Sequence, residues 1–69
     1  MLGKYEKDYY DYILNGINPC SNAKRIVFKI INDISDRSGI GNEFNIIDDE
    51  IQEEIVDDWI NFVEKVYGK

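Results

Sequence analysis

Between Asp48 and Tyr67 the apolar residues return at helical intervals, and no other feature narrows the folding options of this chain so far. Ile51, Ile55, Trp59, Phe62, Val63 and Val66 fall within roughly 120° of arc at 100° per residue. A strand would scatter the same residues over both of its faces. The pattern therefore predicts one long amphipathic helix, capped by Asp48 and running to about Tyr67. Asp49 and Glu50 in its first turn and Lys65 in its last suit the helix dipole.

Two earlier segments read as helices that could cover its apolar stripe. The first runs from about Gly3 to Asn15, with Gly16 as the stop. Leu2, Tyr5, Tyr9 and Ile13 follow helical spacing and are expected in the core, while Tyr10 and Leu14 point to a second side. The second helix is expected to begin at Asn18-Pro19, since Asn caps well and a proline at the first helical position gives up no helical hydrogen bond. Ala23, Val27, Ile30, Ile31 and Ile34 form its apolar stripe, opposite Arg25, Lys29, Asn32 and Asp36. Gly39 fits a left-handed position after it, with Ile40 packing back on Ile34. Gly41 to Ile47 is the remaining connection, with one helical turn at Glu43–Ile46. The expected fold is an all-α, small three-helix bundle with that short extra turn in the second connection, a single domain over 1–69.

A chain of 69 residues has room for one core and lies near the lower limit for folding without a staple. Its single cysteine, Cys20, can form no internal disulfide, which suits a reducing cytoplasm and the role of a small hydrophobe. No signal peptide and no apolar run of about 20 residues is legible, so the expected location is cytoplasmic, away from membranes. The chain contains no histidine. That removes the commonest general base and metal ligand, and with one cysteine it leaves no nucleophile–base arrangement and no usual zinc site. The spacing Gly39-x-Gly41-x-x-Phe44 lacks the third glycine of a dinucleotide fingerprint and follows a helix instead of a strand. No calcium loop starts at Asp33 or Asp36 either. The expectation is a protein without enzymatic activity, cofactor or metal.

Charge supplies the functional signal. The net charge is −6, but residues 1–29 hold five bases against three acids, whereas residues 30–69 hold three bases against eleven acids. An acidic half of this kind repels nucleic acid and membrane surfaces and attracts basic protein clefts. On the last helix Glu50, Glu53, Glu54, Asp57 and Glu64 lie opposite the apolar stripe, with Asp58 at its edge. Like charges at i,i+4 (Asp49/Glu53, Glu50/Glu54, Glu53/Asp57, Glu54/Asp58) repel by about 0.2–0.5 kcal/mol each. Such a face either keeps the protein soluble or binds a basic partner. Arg25 and Lys29 point away from their own apolar stripe, so they are not expected to neutralise it.

Tyrosine is the second signal. Tyr5, Tyr9, Tyr10 and Tyr12 crowd into eight residues, and Tyr10 and Tyr12 cannot both face one core. At least one of them is expected at the surface, where tyrosine gives contact area at low entropic cost. The first helix is thus a candidate contact or homodimer surface.

The run Asp36-Arg37-x-Gly39, Glu43-Phe44, Ile47-Asp48, Ile51-Gln52-x-Glu54-Ile55 and Trp59 resembles short accessory proteins of tailed phages and prophages. It covers about a third of the chain, and most of its positions are caps and core residues. The resemblance implies a context in a bacterial host cell, where small acidic phage proteins are similar in character to anti-defence inhibitors, including anti-CRISPR proteins that mimic DNA. Together with the acidic face, it leads to the expectation of a stoichiometric inhibitor of a basic, nucleic-acid-binding host effector, with no direct contact to nucleic acid. The alternative is a structural or regulatory interaction module, in one form a homodimer through Tyr10 and Tyr12.

Overall fold

The computed structural model describes residues 2–19 and 21–67. Cys20, expected above as a small hydrophobe, falls outside them. The described residues form a 3-10 turn (Gly3–Tyr5), α1 (Glu6–Asn15), α2 (Asn22–Ser35), α3 (Ile40–Asn45) and α4 (Asp49–Tyr67), with no strand among them. This is a small all-α bundle.

Helix α1 ends where Gly16 turns left-handed at φ 71°. Helix α2 begins three residues later than Asn18-Pro19 would place it. Ser21 is its cap, in an extended conformation, with its hydroxyl accepting a hydrogen bond from the Lys24 N–H at 3.3 Å. Both dipeptides offer good capping chemistry. In the fold Asn18 and Pro19 lie in the irregular segment before α2. The turn expected at Glu43–Ile46 begins earlier, as the six-residue α3, and Gly39, at φ 88°, stands directly before it. Ile40, expected to cover Ile34, is 58% exposed.

Helix α2 is the centre, packed against α1, α3 and α4. Its Ala23, Val27, Phe28 and Ile31 are buried, while Ile30, expected in the stripe, is half in water. The substitution of Phe28 for Ile30 has a geometric cause. Phe28 reaches sideways to α1 and the 3-10 turn, where it meets the rings of Tyr9 and Tyr5 edge-on with centroids 5.6 and 6.4 Å away. Leu2 completes this part of the core, and Phe44 of α3 closes another by stacking on Trp59, centroids 6.3 Å apart. The expected inward positions of Leu2, Tyr5 and Tyr9 are thus met. Ile13 is half-buried against the same core.

The orientation of α4 departs most from the sequence pattern. Its buried residues are Gln52, Val56 and Ile60, a line rotated by about 80° from the centre of the apolar stripe at 100° per residue. Trp59, Val63 and Ile55 still reach the core from one side, but Ile51, Phe62 and Val66 are exposed. Polar anchors on both flanks set this rotation. On one flank the Gln52 amide donates to the Phe44 carbonyl at 2.7 Å, a second donor beside the Ile47 N–H at the end of α3. On the other, Glu53 and Asp57 hold the 3-10 turn. The Gln52 Oε1 is buried with no hydrogen-bond donor among the described residues, so Gln52→Leu removes one unmet acceptor, while the Phe44 carbonyl loses one donor and keeps the Ile47 N–H at 3.2 Å. Removing the unmet acceptor gains about 1–3 kcal/mol and losing the bond costs about 0.5–1.5 kcal/mol, so thermal unfolding is expected to show no loss of stability. A loss as large as that of Gln52→Ala, which adds a cavity, would show that the bond to Phe44 dominates.

Candidate acidic and apolar face of the last helix

The six carboxylates singled out on α4 do not share one fate. Glu53 and Asp57 turn toward the N-terminal 3-10 turn. The Lys4 backbone N–H donates to Glu53 Oε2 at 2.7 Å, the Tyr5 hydroxyl donates to Asp57, and the Lys4 ammonium lies 3.7 Å from Asp57 Oδ2. Gly3 makes this approach feasible, since at φ 59° it occupies the left-handed region, and a Cβ there would stand 2.6 Å from Glu53 Oε2. Neutralisation therefore does occur, but through the first turn of the chain and not through α2. The Lys4 ion pair is largely in water and contributes little. The neutral donors hold the geometry.

Glu64 is half-buried and lines a groove of about 440 Å³ between α2 and the end of α4, with Arg25 and Lys29 among the other lining residues. It forms no ion pair with them among the described residues. Glu50, Glu54 and Asp58 are exposed, and among the described residues none has a hydrogen-bond or ion-pair partner. They follow one another at i, i+4 and i+8, so the row rises about 6 Å per step. Beside it, one helical flank away, run the exposed Ile51, Phe62 and Val66. The outer surface of α4 is therefore composite: an acidic row joined to an apolar stripe. Helical periodicity finds the residues of both, but the rotation that puts the stripe outside is not visible in it.

Tyr10 and Tyr12 part company as the spacing requires. Tyr10 is 37% exposed, edge-on to Tyr9 at 5.3 Å, while Tyr12 is half-buried against the core and lines the groove near Glu64. Leu14, 71% exposed, leaves the second side of α1 open.

Burial and the hydrogen bond to the Asp57 carboxylate hold the Tyr5 hydroxyl protonated, raising its pKa well above the ordinary value of 10.0. Burial raises Tyr9 in the same direction. A raised folded-state pKa means that the unfolded chain ionises first, so stability is retained below about pH 10 and falls as pH climbs toward the folded value. Tyr5→Phe is expected to flatten that alkaline fall, leaving the Tyr9 share, and to cost about 1 kcal/mol at neutral pH through the lost hydrogen bond. Denaturant titrations at about pH 7 and about pH 11 check this. Equal alkaline losses in both proteins would remove Tyr5 from the explanation.

Among the described residues no group of three or more His, Cys, Asp or Glu is placed to hold a metal ion, and no helix is long and apolar enough to cross a membrane. The fold and this face define a small helical bundle with a composite acidic and apolar surface. No protein-family model, curated protein or solved structure matches the chain.

Proposed function

We propose that this chain is a stoichiometric binding protein, without catalytic chemistry of its own, that occupies a basic cleft on another protein. The reading rests on one observation: Glu50, Glu54 and Asp58 project from α4 in a single row with no cation against them among the described residues. Repeated carboxylates about 6 Å apart suit a cleft that accepts the repeated phosphates of nucleic acid. A protein filling such a cleft excludes nucleic acid by charge, associates quickly and is weakened by salt. The resemblance to phage accessory proteins makes a nucleic-acid-binding defence effector in the bacterial cytoplasm the partner we favour, as with anti-CRISPR inhibitors.

The row also carries an energetic argument. Glu50/Glu54 and Glu54/Asp58 repel at i,i+4, and replacing the three acids with serine is expected to relieve roughly 0.2–0.5 kcal/mol per pair. That gain is partly offset by the lower helix propensity of serine. Glu50 also favours the helix N-terminus, so the net change is small, and circular dichroism of E50S/E54S/D58S separates loss of binding from loss of fold. In a pull-down from bacterial lysate, the wild-type chain is expected to retain a nucleic-acid-binding protein at about 50 mM salt and release it at about 500 mM. Added duplex DNA should displace the same protein, and the triple variant should not capture it. Capture that survives both the triple substitution and high salt would overturn the proposal.

A homodimer through α1 is the second reading, favoured by the exposure of Leu14 and Tyr10. Light scattering at rising concentration decides it: a strict monomer, unchanged by Tyr10→Ala, removes this reading.

A further inference from the structure

Helix α4 buries Gln52 together with Val56 and Ile60, while it leaves Phe62 and Val66 in water. Gln52 is 1% exposed, whereas Ile51 is 49%, Phe62 59% and Val66 84% exposed. Rotating α4 to bury Ile51, Phe62 and Val66 would expose Val56 and Ile60, break the Gln52 bond to Phe44 and pull Glu53 and Asp57 away from the 3-10 turn. The fold thus holds the stripe outward by specific polar contacts. From Ile51 to Val66 it extends about 22 Å along the helix, the length of roughly four turns of a partner helix.

What covers it follows from the flank. Glu50, Glu54 and Asp58 border the stripe on one side, with Lys65 the single base there among the described residues. A second copy laid antiparallel would bring the same flank, three acids to one base, against itself; Lys65 would meet Glu50 or Glu54, but Asp58 would face its counterpart and acids would remain in excess. A cationic flank meets no such opposition. We infer that the outer face of α4 docks a cationic amphipathic helix of the partner, with Ile51, Phe62 and Val66 taking its apolar side and Glu50, Glu54 and Asp58 its Lys/Arg flank. This rests on the basic-partner reading above and assigns the partner's contact element: a helix with apolar residues at i,i+4 spacing beside basic ones.

The probe is an 18-residue Leu/Lys peptide designed as an amphipathic helix, beside an isomer of identical composition in scrambled order. Binding to the intact chain is followed by isothermal titration and by amide shifts. The amphipathic peptide is expected to bind saturably, to shift Ile51, Phe62 and Val66, and to exceed its isomer by at least about tenfold. Phe62→Ser, at an exposed site that leaves the circular dichroism spectrum intact, should weaken it by about tenfold or more. E50S/E54S/D58S should weaken it and remove most of its salt dependence. Equal binding of the two peptides, with shifts at the acids alone, overturns this inference and leaves the charge-based reading standing. Binding of neither peptide at low salt overturns both. Concentration-dependent shifts of Phe62 without peptide would show that a second copy covers the stripe, which also overturns it.

Discussion

Phe28→Ala is expected to leave most of the chain unfolded at room temperature. Phe28 is completely buried at the point where α2 faces α1 and the 3-10 turn, with the rings of Tyr5 and Tyr9 edge-on against it. Truncating a buried phenylalanine costs about 3–5 kcal/mol through lost transfer energy and an unfilled cavity. The two edge-to-face contacts add to that sum. A single core of this size supplies only about 3–5 kcal/mol of net stability, so the loss matches the reserve. Circular dichroism should show reduced helicity and no cooperative thermal transition. Phe28→Leu fills most of the volume and should keep a transition at a lower midpoint. A cooperative Phe28→Ala variant with a midpoint near that of the wild type would show that the α1–α2 contact does not hold the fold together.

Gly41→Ala is the second large effect, and its direction contradicts helix propensity. Alanine is favoured over glycine within a helix by about 1 kcal/mol, and Gly41 lies inside α3. A Cβ there, however, would stand 2.8 Å from the carbonyl oxygens of both Ile34 and Ser35. These are backbone atoms at the end of α2 and cannot rotate aside. Helix α3 must retreat, carrying Phe44 away from Trp59 and its carbonyl away from Gln52. Overpacking of this kind costs about 1–3 kcal/mol, and disturbing the Gln52 bond adds to it. The expected outcome is a clear drop in the unfolding midpoint, with altered Trp59 fluorescence in the folded protein. An alanine variant at least as stable as the wild type would mean that α3 is free to move.

The polar anchors of α4 also bear on binding. Gln52 on one flank and Glu53 with Asp57 on the other set the rotation of α4, and that rotation presents Phe62 and the acidic row together. Substitutions in the first turn should therefore affect binding from a distance. Gly3→Ala is strained at φ 59° and crowds the Glu53 carboxylate, which loosens its hold on the Lys4 N–H and with it one anchor that keeps the stripe outward.

Much of the architecture was legible because it depends on short-range chemistry. The span of α4, the glycine stop after α1 and the inward line of Leu2, Tyr5 and Tyr9 all follow from caps and from a 3.6-residue period. The candidate acids were also legible as residue types on one side of a helix. Periodicity could not divide them, because Glu53 and Asp57 meet partners 49 and 52 residues away in the chain. Nothing in their spacing distinguishes them from Glu50 and Glu54. The choice of Ser21 over Asn18 as a cap, and of Phe28 over Ile30 for the core, likewise depended on where neighbouring helices came to lie.

The amino-acid order alone determined that this chain is helical, acidic toward its C-terminus and lacking histidine, since these follow from residue identity and local backbone preference. Only the tertiary structure decided which face of α4 is inside. Apolar periodicity offers a stripe, but a helix in a bundle turns to satisfy its least forgiving contacts. Here those are the polar anchors of Gln52, Glu53 and Asp57, which leave part of the stripe in water beside three carboxylates.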